Sequence, residues 1–261
     1  MDIDLEKLTA HQRYKLMASL IVPRPIALIT TLNADGVINA APFSMFNMVG
    51  EDPPIVMVSI NARDDDTLKD TAVNIERSAE FVVHISDEAM AQKMHRCGDH
   101  LPSDVSELAH AGLSTAPSQR VAPPRIVEAP VAFECTLFEK LETASRKIFI
   151  GQVRWLHVRD GLVDMEACRV NFQDYFPIGR FGGGLYATTR DRFEMPEFKL
   201  DGPGAGHRLL RNIVPGLATG KPRICLIARC AGGFLGDEHA SQPGPQPEHD
   251  SPGCEGRNSG H

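Results

Sequence analysis

The chain has 261 residues, 42% of them hydrophobic, and a formal net charge of −7. That is enough apolar material for one well-buried domain plus an appendage. No block of Lys and Arg stands out, so neither nucleic acid nor an anionic membrane surface is an expected partner; an anionic ligand would need a local basic pocket.

The N-terminal MDIDLEKLTA is acidic and lacks the basic-then-apolar pattern of a signal peptide. No apolar run reaches the roughly 18 residues of a membrane span, so a soluble cytoplasmic protein is expected. Residues 5–20 read as a helix, which Pro23 and Pro25 end and convert to extended chain. Ile26–Thr31 is a predicted strand. Asn33-Ala34-Asp35-Gly36 is a turn, and Val37–Ala40 begins the return strand of a hairpin.

Ile55–Ile60 and Glu80–Ile85 read as further strands. Between them residues 67–78 read as a helix with Asp66 or Thr67 as N-cap, and a second helix is expected over 87–96. Past a Pro-rich connection at 117–130, Val131, Phe133, Cys135 and Leu137 share one face of a strand. Lys147–Val158 is another strand, which Asp160-Gly161 turns into Leu162–Met165. Short hairpins interrupted by small helices favour a mainly β, antiparallel barrel over a doubly wound parallel sheet.

From about residue 198 the composition changes. Residues 198–261 read as a Gly/Pro-rich extension, largely disordered, with 236–261 too polar to offset its ordering entropy. Within it Ile224–Ala228 is a modest apolar run with no assigned role. The six cysteines (Cys97, Cys135, Cys168, Cys225, Cys230, Cys254) lack paired spacing and read as reduced, mostly structural thiols.

Two stretches carry candidate chemistry. In Asn39–Asn47 small alanines and Pro42 admit a flat ligand to the backbone. Asn39, Ser44 and Asn47 offer partners to a heteroaromatic edge. The alternative is an edge strand entering a loop, with Phe43 and Phe46 as core. The second stretch joins Ser59, Asn61 and Arg63 to Lys69 and Thr71 at a helix start, a combination suited to phosphate if Asp64, Asp65 and Asp66 point to solvent. The alternative there is a solvated charged turn. His95, Cys97, Asp99 and His100 are metal-ligand types, but their spacing matches no common zinc pattern. A polar helix end is the expected reading and no metal is expected. His84 and His157 lie in strands and read as satisfied histidines.

Together these pieces resemble the flavin reductase-like family of FMN-binding split-barrel proteins. The likeness rests on Arg24-Pro25-Ile26-Ala27, on Asp35 to Asn47, and on Asp52-Pro53-Pro54. It continues through Lys69-Asp70-Thr71, Asn74-Ile75, Glu80 to Val83, Ala111-Gly112-Leu113, Pro124-Arg125-Ile126 and Glu128-Ala129-Pro130. It ends with Gly151-Gln152-Val153 and Pro177-Ile178-Gly179-Arg180 with Tyr186. It covers roughly residues 10–197, which implies a split-barrel domain over 1–197.

The resemblance implies a homodimer with FMN near the subunit interface. The ring would lie against Asn39, Ala41, Pro42, Ser44 and Asn47, and the phosphate against Ser59, Asn61, Arg63, Lys69 and Thr71. The implied activity is hydride transfer from NADH or NADPH to FMN, then reduction of a second acceptor such as free flavin, a metal complex or oxygen. A monooxygenase is a candidate partner. Such chemistry needs no side-chain nucleophile, so no catalytic residue is named. The rival readings are an FMN store or sensor without turnover, and a split barrel serving heme through His84 or His157, or a pyridoxal-type phosphate. His84 stands where such proteins often carry Asn, which implies a changed polar contact to the flavin.

Overall fold

Thr9 and Gln12 exchange side-chain-to-backbone hydrogen bonds in a capping box and start α1 (Ala10–Leu20). The expected helix over 5–20 is therefore broken, with only a 3-10 turn at Leu5–Lys7 before the cap. The protein is described here from a computed structural model over residues 1–195. The expectations for 198–261, including disorder at 236–261, the Ile224–Ala228 run and the cysteines Cys225, Cys230 and Cys254, lie outside the described residues.

Extended chain follows as β1 (Arg24–Pro25) and β2 (Ala27–Leu32). Asn33 accepts from the amides of Asp35 and Val37, and Gly36 takes the left-handed φ of +81° that the turn needs. The chain returns as β3 (Ile38–Phe43), then β4 (Phe46–Glu51) and β5 (Pro54–Asn61). Helix α2 (Asp70–Ser78) and β6 (Glu80–Ile85) come next. The helix expected over 87–96 resolves into a 3-10 turn at Glu88–Met90 and α3 (Ala91–Arg96); α4 (Glu107–Ala111) is a short helix that sequence reading missed.

Just before the Pro-rich connection, β7 (Thr115–Ala116) pairs with β8 (Arg125–Ile126) within it. In the long hairpin, β10 (Arg146–Val158) matches the strand expected at 147–158 to within one residue, while β9 (Val131–Thr143) runs six residues past the expected 131–137. Gly161 does turn the chain, at φ +77°, but β11 (Val163–Asp164) pairs with β12 (Arg169–Val170) rather than back onto β10. The last strands are β13 (Gly179–Gly182) and β14 (Leu185–Ala187).

Seven strands form one antiparallel sheet in the order β3-β2-β6-β9-β10-β5-β4. Its outermost members, β3 and β4, are joined by only Ser44 and Met45, so the sheet curls until its ends adjoin. The result is a barrel. A separate small sheet, β1-β13-β14, stands at its mouth.

Strand β2 is buried on both faces, Thr30 and Thr31 included; the Thr30 hydroxyl donates to the Pro124 carbonyl at 2.7 Å and Thr31 Oγ1 accepts from Asn39 and Asn74. Ala27 and Ile29 join Phe43, Val58, Ile75, Phe81 and Phe149 in one core, while Ile26 and Leu28 join Met90, Met94, Leu108 and Ile126 in another. Gly151 lets β10 pass over Phe81. A Cβ there would run into Phe81 Cζ and stand 3.2 Å from Cys135 Cβ. Gly151→Ala is expected to destabilise by about 1–3 kcal/mol through overpacking, read as a lower urea midpoint. An unchanged midpoint would mean that Phe81 has room to move.

Candidate functional site

Strand β3 presents its outer edge to α3 and α4. The Ala40 amide points outward and donates to Glu107 Oε2 at 2.8 Å. Burial pushes the Glu107 carboxyl above its usual range. Pro42, two residues on, sits in the same outward phase, so its missing N–H removes no ladder bond. Gly98, at the end of α3, stands beside that proline: a Cβ there would be in ordinary contact with Pro42 Cγ at 3.5 Å.

Two hollows meet over this edge. A cleft of about 610 Å3 is lined by Pro42, Ser44, Ser59, Asn61 and Lys69 among the expected residues. A smaller hollow of about 150 Å3 is lined by Asn39, Ala41, Arg63 and Thr71, and both share Pro42, Phe43 and Lys69. The two candidate stretches are thus brought together. Asn47 is not: it is exposed on β4, lines neither hollow, and accepts from the Met48 amide at 2.9 Å.

Several of these residues have structural work. Asn39 Nδ2 donates to Thr71 Oγ1 at 2.9 Å, and Asn74 Nδ2 donates to Thr31 Oγ1 at 3.0 Å, a buried network fixing α2 against β2 and β3. Arg63 pairs with Asp70 at 2.6 Å and donates to the Leu68 carbonyl, so its charge is already offset. Asp64, Asp65 and Asp66 are exposed. Asp65 accepts from the amide and hydroxyl of Thr67, and Asp66 takes a left-handed φ of +63°. That turn delays α2 to Asp70, with Lys69 rather than Asp66 or Thr67 at the N-cap.

Lys69 is the residue left in want of a partner. It lies 5.7 Å from the Phe43 ring. Burial, then the neighbouring Arg146 and Arg63, pull its pKa below the usual lysine range. Arg146 stacks on Tyr14 at 5.4 Å and donates to the Ser59 carbonyl at 3.4 Å. A half-buried ammonium crowded by cations calls for an anion. The donor set therefore fits a phosphate: Lys69, Arg146 and the free amides opening α2.

Sequence reading missed the cleft's other contributors: Tyr14, Arg24, His95, Arg146, Arg180 and Tyr186. Arg24, Arg180 and Tyr186 belonged to the family motifs, a signal for their placement but not for their role.

His84 lines neither hollow, and both its ring nitrogens are bonded, as expected of a satisfied histidine. It is fully buried. Its Nε2 accepts from the Ile126 amide at 2.9 Å, so Nδ1 carries the proton and donates to the Leu28 carbonyl at 2.9 Å. His157 Nε2 bonds the buried Glu134 at 2.5 Å. His95 Nδ1 meets Tyr186 Oη at 2.8 Å. Cys97 is packed in the core with its thiol pushed up to about 12 by burial, and Cys135 is likewise buried and raised.

A split barrel with a cation-lined cleft at the mouth defines a class. The family model of the flavin reductase like domain matches residues 17–176, and the chain belongs to that family. It is a split-barrel protein of the flavin-linked oxidoreductase type.

Among its relatives, an uncharacterised protein of Aquifex aeolicus (strain VF5) is 40% identical over 189 residues, covering 72% of this chain and 96% of the relative. The crystal structure of Pseudomonas fluorescens 2-nitrobenzoate 2-nitroreductase NbaA is similar at TM-score 0.70 and 36% identity, covering 79% of this chain and all of the other. Nitrilotriacetate monooxygenase component B from Bacillus cereus is similar at TM-score 0.70 and 33% identity, covering 75% and 98%. Among the described residues no helix is long and apolar enough to cross a membrane.

Proposed function

We propose that the cleft holds FMN and that the protein draws on NADH or NADPH to reduce a second acceptor. The observation that carries this reading is Lys69, half-buried and without an anionic partner where the two candidate stretches meet. Bound FMN supplies a centre able to take up a hydride and pass reducing equivalents on.

In this reading Lys69, Arg146, Ser59 and Asn61 hold the phosphate with the amides opening α2. Arg63 positions that turn through Asp70. Ala41, Pro42 and Ser44 form the floor for the ring, while Asn39 and Thr71 act from beneath by fixing α2. His84 and His157 already engage Ile126, Leu28 and Glu134, which favours flavin over a heme ligated by either histidine.

Homodimer formation, a cytoplasmic site of action and delivery of reduced flavin to a monooxygenase partner belong to the same proposal. The exposed Met48, Val49 and Leu156 support the first, and the likeness to a monooxygenase component B supports the last.

Lys69→Ala is expected to raise the FMN dissociation constant roughly tenfold or more, as for loss of a charged hydrogen bond. Fluorescence titration of the apoprotein measures it. Flavin retention equal to the unaltered protein would place the phosphate elsewhere.

A further inference from the structure

Strand β13 forms the wall of the cleft facing Ser44, and it pairs antiparallel with β1 so that Arg24 and Arg180 are direct register partners. Like charges opposed on paired strands are destabilising. Neither arginine is among the ion pairs of the described residues.

Arg24 is only 8% exposed and fixed in place, with Nη1 donating to the carbonyls of Ala18 and Ile21 and Nε reaching Ser44 Oγ at 3.4 Å. Arg180 donates to the Gly183 carbonyl and lies 4.7 Å over the Tyr186 ring, which His95 holds in turn. Ile26, Phe43, Met45 and Met94 give the same cleft an apolar lining. Two arginines lining one cleft, an aromatic side chain beside them and apolar walls match a planar ligand with an anionic edge. The guanidinium fork suits a carboxylate in particular.

We propose that the second substrate of this site is an aromatic carboxylate, its anionic group taken by Arg180 and Arg24 and its ring by the face of Tyr186. Naming the ligand as second substrate rests on the FMN reading; the anion site itself stands on the arginine pair.

Benzoate and its neutral isostere benzamide are the probes, with binding measured by calorimetry on the flavin-loaded protein. Benzoate should bind at least about tenfold more tightly than benzamide, and Arg180→Gln should remove most of that preference. Arg180→Lys, which keeps the charge but not the fork, should fall between. Equal binding of the two probes by the unaltered protein overturns the proposal without recourse to any variant. So does an unchanged preference in Arg180→Gln accompanied by a higher KM for NADH, which would assign the arginine to the nucleotide's phosphates. Loss of flavin from Arg180→Gln but not from Lys69→Ala would assign it to FMN, with the same consequence. The flavin content of the unaltered protein reports separately on the FMN reading: a flavin-free protein that still prefers benzoate through Arg180 supports the anion site and removes the reading beneath it.

Discussion

Glu134→Ala is expected to destabilise the protein by about 3–5 kcal/mol, the scale set by stranding the partners of a buried charge. Glu134 is fully buried on β9. It accepts from the Gln119 amide at 2.7 Å, the Arg120 amide at 2.6 Å and His157 at 2.5 Å. Burial opposes the carboxylate, but these donors prevail and hold it below the usual range. Alanine leaves two amides and an imidazole without acceptors, while the Ala122–Glu80 and Thr30–Pro124 hydrogen bonds still hold the 117–124 segment to the barrel. Glu134→Gln recovers only part of the loss, because its NH2 turns a donor toward another donor. Urea denaturation measures both variants. A change below about 1 kcal/mol for alanine would show that water replaces the carboxylate without penalty.

Acidification is expected to remove a further contribution, centred on His84. Burial pushes its pKa down to about 4 from the usual 6.5, outweighing the Leu28 hydrogen bond, with Arg125 and His157 adding to the depression. The unfolded chain therefore binds the proton first. The contribution of His84 is complete above pH 6.5, declines as pH falls, and is lost once pH passes about 4. At about 1.4 kcal/mol per unit the loss is about 3 kcal/mol. Glu134, also depressed, acts in the same direction. Urea unfolding of the unaltered protein and of His84→Gln between pH 7 and 4 should give a shallower pH dependence for the variant. A His84 ring resonance titrating near its usual value would contradict the assignment.

Much of the barrel was legible because its signals are local. The Asn33–Gly36 turn, the β-branched and apolar residues of β2 and the alternation through Val131–Leu137 each report their own conformation. The start of α2 was misplaced because Asp65 and Asp66 build a turn of their own before Lys69. The outer half of β9 escaped notice because Glu139, Lys140 and Glu142 make a polar surface, which ion pairs of Lys140 with Glu76 of α2 and with Glu142 then tie down.

The site was half legible. Lys69 and Ser44 lie in stretches that look like ligand chemistry; Asn39 and Thr71 line the smaller hollow and also bond each other in the buried network, a second role that their residue types do not announce. The Arg180 and Tyr186 wall comes from a hairpin more than a hundred residues away in sequence. Only the pairing of β1 with β13 reveals that it stands beside Arg24.

The proposed activity turns on whether flavin in the cleft accepts electrons from a nicotinamide nucleotide. Anaerobic addition of NADH, and separately NADPH, to the FMN-loaded protein tests this directly through the visible absorbance of the flavin. At least one nucleotide should bleach it, with colour returning when an acceptor is admitted. Protein that keeps its flavin fully oxidised with both nucleotides would contradict the proposed activity.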